Sequence, residues 1–504
     1  MKVLSDPGQW FIAIPLPIIP GSVDFVKYRK LLDRIDELLQ FSSIEQEFAE
    51  HAVAYVEAQS QCKLKPAVRL RHMRHASRML RCNIARSLSQ EDYRDFSIHL
   101  ADSHLLREFC RYNGPSAPKK TASKSTLQRG ATAYDEAIVS QLVRCLIEKA
   151  SRKDGAICGE GGLVTPLDTK VILMDTTCIE LNIHFPTDWV LLRDAIKSLV
   201  RAIESIRRRG LFHRIQEPKS LVSRVNKLSM QMTQASQRGG GDRKEKKRIL
   251  RALKKLAKAV GRHGARYREV LTRRWQETDL SQGNMEQIVK RIDNVLEKLP
   301  HAIFQAHERI IGERPVENEK KLLSLYEPHA KVYKRKKAAS DVEFGLQLLL
   351  GETMDGVISD WELVKEAPLN DTKHIARYLQ RFQELPEALR PEILVADRGF
   401  DSQHNGETLT AQGIKNMICP KDPKQLEKKM GQVRFAAYQR RRAQTEGRIG
   451  IMKHCFIGRR MPAKGYDKQR LHVAWAVLAH NLWVIARLPN RRDSDEEEKQ
   501  LRRA

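Results

Sequence analysis

Apolar positions in the first part of the chain recur every three or four residues, which is the spacing of one face of an α-helix. This spacing predicts helices over residues 22–112, followed by a break at residues 113–120. Ser123 or Ser125 is then placed to cap a helix that runs towards Lys149. Two helices around a polar turn would also suit a helix-turn-helix, although any small helical domain shares this pattern.

A different pattern begins near residue 170. The segments 170–175 and 393–397 are short, apolar and rich in β-branched residues, and each ends in an aspartate. They predict strands in the interior of a sheet, with Asp175 and Asp397 at the strand ends. Residues 179–183 either continue the first strand or form a second short one. Other strands are expected at 329–333, 343–350, 357–364 and 413–419, and helices at 371–385, 439–454 and 471–488.

The helical pattern returns over residues 186–315 and so interrupts the sheet segments. Without this insertion, the remaining order of strands and helices predicts an α/β fold in which a mixed sheet is flanked by helices. The chain is long enough for two or three units. The predicted segments are an N-terminal arm with helices (1–65), a helical DNA-binding domain (66–165), a sheet domain (166–185 plus 316–489), a basic helical insertion (186–315) and a disordered charged tail (490–504).

The net charge of the chain indicates which class of partner it binds. The chain of 504 residues has 90 Lys and Arg against 62 Asp and Glu, a net charge of +28, which favours a nucleic acid partner. Residues 238–274 hold 15 Lys or Arg and three acids around the glycines 239–241, which predict a flexible joint. We therefore expect DNA contacts in the insertion at Lys246, Lys247 and Arg248, the alternative being a solvated helix face.

Membrane and export signals are weak. No run in the sequence approaches the ~20 apolar residues of a membrane-spanning helix, so no membrane partner is expected. The apolar stretch 10–19 is interrupted by proline and is interpreted as a docked arm rather than an export signal. The eight cysteines show no zinc or CxxC spacing and are expected to be reduced. The expected location is cytoplasmic, in association with the nucleoid.

Three acids are candidates for metal chemistry. Divalent cations such as Mg²⁺ prefer oxygen ligands, and nuclease-type sites hold them with a few carboxylates. Asp175 and Asp397 would meet at one sheet edge if their strands are neighbours, although a strand-end acid also suits a turn or a cap. The third is Glu446, which shares a predicted helical face with Arg442 and Lys453. A surface ladder of ion pairs would have the same spacing.

Several motifs resemble those of bacterial insertion-sequence transposases, and the group called ISNCY is similar. Residues 174–188 around Asp175 resemble the first-aspartate motif, and Asp397-Arg398-Gly399-Phe400 resembles the second. Ala443-Gln444-Thr445-Glu446 with Lys453-His454 resembles the glutamate motif. The segments 327–329, 342–345 and 474–482 match in the same order, and the resemblance covers about residues 66–488.

This resemblance implies an RNase H-like catalytic fold and a DDE-type DNA transposase with Mg²⁺ (Mn²⁺ possible) held by Asp175, Asp397 and Glu446. Such an enzyme cleaves DNA at the terminal inverted repeats and joins the freed 3′-hydroxyls to target DNA by two-metal phosphoryl transfer, as a homodimer on DNA. Arg442 and Lys453 would contact phosphates, and Arg398 would also bind DNA. Related enzymes have a tyrosine three residues before the arginine, where this chain has Gln439.

Other functions remain open at this point. A related nuclease without strand transfer would keep the same three acids, and a catalytically inactive DNA-binding relic could keep them as well. A structural RNA-binding protein would explain the charge but not the acids. Asp188, within the first motif, is predicted to be a helix N-cap rather than a metal ligand.

Overall fold

The protein is described here by a computed structural model, which covers residues 21–114, 117–215, 217–237, 242–337, 340–366 and 368–491. The predicted docked arm at 10–19, the glycine joint at 239–241 and the predicted tail beyond residue 491 lie outside the described residues.

Helices account for most of the described chain. They are α1 (Val23–Phe41), α2 (Ile44–Ser60), α3 (Pro66–Ser89), α4 (Tyr93–Asp102), α5 (His104–Phe109), α6 (Lys124–Thr132), α7 (Glu136–Ser151), α8 (Asp188–Arg207), α9 (Pro218–Gln237), α10 (Arg243–Arg274), α11 (Gln282–Ala306), α12 (Thr372–Phe382), α13 (Gln403–Ala411), α14 (Pro423–Met430), α15 (Val433–Ala443), α16 (Thr445–Ile451) and α17 (Tyr466–Ile485). The strands are β1 (Val171–Glu180), β2 (Lys331–Lys337), β3 (Ser340–Glu352), β4 (Ile358–Val364), β5 (Ile393–Ala396) and β6 (Lys415–Ile418).

The chain separates into two compact units. The sheet unit contains the described residues up to Ile179, together with Gln347–Lys365 and the residues from Leu369 onwards. The helical unit contains Glu180–Leu346 and Glu366–Pro368. The helices α1–α7 and most of the sheet share one unit, and the predicted boundaries at residues 65, 165 and 185 remain predictions.

Within the sheet unit the strand order is β4-β3-β1-β5-β6. β1, β5 and β6 are parallel, whereas β3 and β4 are antiparallel, so the predicted mixed sheet flanked by helices is confirmed. Alternate residues of the central strands enter different cores: Ile172 and Met174 pack with α12 and α13, and Val171 and Leu173 pack with Phe435 of α15. Burial on both faces explains why these strands are apolar without interruption.

Two predicted elements differ from the observed ones. β1 continues to Glu180, so Asp175 lies inside the strand rather than at its end, whereas Asp397 does follow the last residue of β5. Ser123 caps α6 as predicted, but the helix towards Lys149 is divided into α6 and α7. The division follows from packing, because α6 lies against α3 and α4 while α7 lies against α17.

The last helix, α17, supports the sheet unit from inside. It is apolar on nearly all sides and most of its residues are buried, which is typical of a helix in the middle of a core. Asn481 accepts a hydrogen bond from the backbone N–H of Ile358 at 2.9 Å and donates one to its carbonyl at 2.8 Å. Trp475 donates its indole N–H to the carbonyl of Ala131. α17 thereby connects β4 with the N-terminal helices.

The helical unit has a separate core formed by α8, α9, α10 and α11. Gly264 of α10 permits close approach of α8, since an added Cβ would lie 3.0 Å from Leu199 Cδ2. Asp188 is the first residue of α8 rather than its N-cap, which is Thr187. Its buried carboxylate accepts hydrogen bonds from Gln305 and Arg309 and so connects the start of α8 to the end of α11. In this unit β2 pairs antiparallel with the first part of β3.

Two further expectations concern cysteines and membrane spans. All eight cysteines are free thiols, and Cys82, Cys110, Cys158 and Cys178 are buried. Over the described residues, no helix combines the length and apolarity that a membrane crossing requires.

Two buried histidines and one half-buried histidine predict a loss of stability in acid. Burial lowers the pKa of His374, His472 and His480 to about 4, from 6.5. Between these pKa values the unfolded chain binds protons on the histidines and the folded chain does not. The stabilisation from the neutral histidines is therefore complete above pH 6.5 and is lost as the pH falls through 4. Each contributes on the order of 3 kcal/mol. Urea unfolding at pH 7, 5.5 and 4.5 should show this decline.

His374 offers a specific variant for this measurement. Neither ring nitrogen of His374 has a hydrogen-bond partner among the described residues, and the ring packs against Phe400. His374→Leu should therefore retain the packing and flatten the decline in free energy of unfolding. His404→Leu, at an exposed position, is the matched control. An unchanged pH slope in His374→Leu would contradict this account.

Candidate active site

The two predicted aspartates follow paired residues of neighbouring parallel strands. In the register of β1 and β5, Met174 is opposite Ala396. Asp175 and Asp397 each come one residue later, so the backbone brings them side by side. Neighbouring strands lie about 4.8 Å apart. Main-chain pairing, rather than flexible side chains, therefore sets their proximity.

Burial and neighbouring charges determine the protonation of Asp175. Burial is the largest effect and, with the charges of Asp397 and Asp371, raises the pKa of Asp175 to about 6. The backbone N–H of Thr176, which donates to Asp175 Oδ1 at 2.7 Å, and the guanidinium of Arg442 act in the opposite direction. The site thus holds carboxylates close enough to repel one another, with the guanidinium of Arg442 beside them.

Asp371 is a third acid in this neighbourhood, and the sequence did not single it out. Thr176 Oγ1 donates to Asp371 Oδ1 at 2.9 Å. A Cβ at Gly399 would lie 2.7 Å from Asp371 Oδ2 and 2.9 Å from Asp397 Oδ1, so the glycine leaves room for both carboxylates. Asp397 itself is half-buried and accepts the backbone N–H of Gly399 at 2.8 Å. The available sequence signal was an acid directly before an amphipathic helix.

Gln439 positions Arg442 beside the aspartates. The Gln439 amide donates to the carbonyl of Met417 at 2.8 Å and more weakly to that of Ala396 at 3.4 Å. Its carbonyl oxygen accepts the Nε–H of Arg442 at 3.1 Å. α15 therefore lies against the ends of β5 and β6, next to Asp397. Gln439 is the residue that replaces the expected tyrosine, and here it connects the helix to the sheet.

Glu446, the third predicted ligand, lies on α16, and the helix is not continuous. α15 ends at Ala443, α16 begins at Thr445, and a π-helical turn starts at Met452, so the predicted helix over 439–454 is divided. Glu446 is exposed and makes no hydrogen bond or ion pair with any residue that the structure describes. It lies four residues after Arg442, on the other side of the break at Gln444.

A buried ion pair holds this helical segment against the β3–β4 turn. Arg441 Nη1 donates to Glu352 Oε1 at 2.8 Å, and Thr445 Oγ1 donates to the same oxygen at 2.7 Å. Arg448 donates to the carbonyl of Asp355. Gly356 has a φ of +88°, and an added Cβ there would overlap the Arg448 guanidinium. The residues on both sides of Glu446 are therefore fixed to the sheet unit.

The structure brings together only part of the predicted site. Asp175, Asp397 and Arg442 are neighbours, whereas no contact in the described chain joins Glu446 to the aspartates. Lys453 is half-buried in the π-helical turn, and Arg398 is exposed beside Asp397. No three His, Cys, Asp or Glu side chains within the described ranges are grouped so that they could hold a metal ion. The two predicted aspartates are thus neighbours, with Asp371 beside them, and the inclusion of Glu446 stays a prediction.

The three cations predicted to contact DNA in the helical unit differ in whether they already have a partner within the protein. Lys247 forms an ion pair with Glu313 at 2.8 Å, and Arg248 forms a two-point pair with Glu245. Lys246 is half-exposed. Two of these three cations therefore already have acidic partners within the protein.

A cavity of about 840 Å³ elsewhere in the sheet unit contains none of these residues. It lies between α7, β4, α12 and α17. Arg381 pairs there with Asp360 and Glu362, and Arg470 pairs with Glu136. Its charged groups are thus largely matched, which favours a structural role over a catalytic one.

Comparison of the chain with protein-family models, curated proteins and solved structures gives no match. A functional assignment therefore depends on the motifs and on the geometry around Asp175 and Asp397.

The Glu352–Arg441 pair predicts a large loss of stability on truncation. The side chains are only 5% and 11% exposed, so Glu352→Ala leaves a guanidinium without its carboxylate in a buried position. We expect a loss of about 3 kcal/mol in the free energy of unfolding, and a smaller loss for Glu352→Gln, which keeps an acceptor. Chemical denaturation provides the measurement. Glu427→Ala, at an exposed position, is the control; equal effects at 352 and 427 would contradict the proposed anchor.

Proposed function

We propose that the protein is a metal-dependent DNA transposase that cleaves transposon ends and joins the 3′-hydroxyls to target DNA. The observation that carries this proposal is the in-register pairing that places Asp175 beside Asp397. A basic chain with two aspartates side by side on neighbouring strands suits chemistry on a polyanion. The motif resemblance and the mixed sheet flanked by helices support an RNase H-like catalytic domain.

The donor set fits a divalent cation. Adjacent carboxylates, one of them with a raised pKa, carry a repulsion that a bound cation would relieve. Asp175 and Asp397 would hold Mg²⁺ or Mn²⁺ through oxygen atoms, with Glu446 as the third ligand and Asp371 as a further nearby carboxylate. The metal, when bound, activates the attacking hydroxyl and stabilises the leaving oxygen of a displacement at phosphorus.

The remaining roles belong to side chains of this chain. Arg442, oriented by Gln439, presents a guanidinium to a DNA phosphate next to the aspartates. Lys453 and Arg398 supply further positive charge for the backbone. Glu446 approaches the aspartates by rotation of its side chain, because Thr445 and Arg448 on either side are bonded to the β3–β4 turn. The site is completed on binding, while its main chain remains in place.

Two alternatives share this geometry. A nuclease without strand transfer would use the same residues and would stop after cleavage. A DNA-binding relic would retain the acids but cleave nothing.

Divalent cations should raise the thermal unfolding temperature of the wild-type protein after removal of metal with EDTA. Binding to the folded state alone stabilises it, by about 2.7 kcal/mol at a hundred times the dissociation constant. Asp175→Asn should be at least as stable without metal at pH 7.5, because it removes a buried charge, and should lose the response to Mn²⁺. Asp371→Asn should weaken the response.

Asp102→Asn is the control for these melts, since Asp102 is exposed at the end of α4. It should respond to Mn²⁺ as the wild type does. A full response in Asp175→Asn and Asp397→Asn would show that the aspartate pair does not hold the cation.

Cleavage of duplex DNA should depend on metal and on each of the three acids. Asp175→Asn, Asp397→Asn and Glu446→Gln remove charge but keep side-chain size, and each should lower the nicking rate by roughly 10²–10³-fold or more. Glu427→Gln, which changes an exposed glutamate of the same unit, should nick normally. Strand-specific end labelling in Mg²⁺ or Mn²⁺ measures the rates.

The same labelled ends separate the alternatives. Joined products in a target plasmid support a transposase, whereas nicked ends without joining indicate a nuclease. Nicking by Glu446→Gln at the wild-type rate would remove Glu446 from the site. Absence of nicking by every form, with DNA binding intact, would identify a relic.

A further inference from the structure

One exposed face of α10 carries a line of cations. Seven exposed basic residues lie three, four or seven positions apart, which places them on one face of the helix, opposite the face that enters the core. We call this line the α10 ridge. It consists of Lys244, Arg251, Lys255, Lys258, Arg262, Arg266 and Arg273. Arg248 and Glu269 occupy the two remaining positions of the same face.

The ridge cations have no partner among the described residues, whereas most other cations of α10 do, with Lys246 as the exception. Lys247 and Arg243 pair with Glu313, Arg268 pairs with Asp293, and Arg274 pairs with Glu277. None of the seven ridge side chains makes an ion pair or hydrogen bond with a residue that the structure describes. Like charges at this spacing destabilise a helix by about 0.2–0.5 kcal/mol per pair. A surface that maintains this repulsion suits a polyanionic partner.

We infer that the α10 ridge binds the phosphate backbone of duplex DNA without reading its sequence. This inference rests on the proposed function only for the choice of DNA as the polyanion. The ridge side chains are all Lys or Arg, which commonly contact phosphates, and their repetition along one helix face suits the repeated phosphates of a backbone. The predicted DNA contacts at Lys246, Lys247 and Arg248 stay predictions, and the ridge is a separate set of residues on the same helix.

The surroundings of the ridge favour a duplex over other polyanions. Single strands bind where bases stack on exposed aromatic rings, but Tyr267, the aromatic residue of α10, is fully buried. Membrane-surface helices insert an apolar face, but the apolar side of α10 is buried in the core of the helical unit. The described residues of α10 contribute no exposed large hydrophobic side chain.

The length of the ridge predicts a strong dependence on salt. From Lys244 to Arg273 the helix extends about 44 Å, at 1.5 Å per residue. Each phosphate neutralised changes the slope of log affinity against log salt by about 0.9. Removal of three central cations should therefore reduce the magnitude of the slope by about 2.7, which is roughly a hundredfold in affinity at 0.15 M salt.

The test uses the full chain in EDTA, so that no cleavage is needed. Fluorescence anisotropy with a 30-base-pair duplex of arbitrary sequence measures affinity between 0.05 and 0.3 M KCl. The ridge variant is Lys255→Gln, Lys258→Gln and Arg262→Gln combined. The matched control removes the same charge from exposed positions of α9 in the same unit, by Lys219→Gln, Arg224→Gln and Lys227→Gln. Thermal unfolding confirms that both variants are folded.

For every duplex sequence, the ridge variant should show the stated reductions in salt slope and in affinity. The α9 variant should bind almost as tightly as the wild type. Equal losses of affinity in both variants would show an effect of net charge alone. If the ridge variant bound with wild-type affinity, the ridge would not be a DNA contact. Tighter ridge-dependent binding to single-stranded RNA or to anionic vesicles would also overturn the proposal. If DNA binding depends on the ridge but the protein does not nick DNA, only the proposed function is contradicted. If the protein nicks DNA but its DNA binding does not depend on the ridge, only this inference is contradicted.

Discussion

The pairing of β1 with β5 is the constraint on which the candidate site depends. The two parallel strands are buried on both faces, and the opposition of Met174 and Ala396 fixes Asp175 next to Asp397. A shift of one residue would exchange the buried faces of a strand and separate the two carboxylates along the sheet. Core packing thus enforces a close approach of like charges that water would otherwise oppose.

The elements around this pair divide into fixed and adjustable parts. Gln439 holds α15 to the ends of β5 and β6, and Glu352 holds the α15–α16 junction through Arg441 and Thr445. Glu446 projects from this anchored segment without a partner among the described residues. In the proposed function, most of the arrangement is therefore preorganised and the side chain of Glu446 is the adjustable part.

Charge is distributed differently in the two units. In the sheet unit the residues near the site include three acids and one arginine, which suits local chemistry with a cation. In the helical unit Glu313 and Asp293 neutralise Lys247 and Arg268, whereas the ridge cations have no partner among the described residues. The proposed contributions are therefore distinct: one unit acts on a phosphate, and the other provides affinity that is independent of sequence.

The sequence by itself determined the apolar strands, the helical insertion and the three candidate acids, because these follow from local periodicity and motif order. It also indicated the charge of α10. Only the tertiary structure decided that β1 continues beyond Asp175, that Asp371 lies beside the pair, and that the helix divides at Gln444. It likewise decided that Lys247 is paired while Arg262 is not. These outcomes depend on contacts between residues far apart in the chain, which periodicity does not encode.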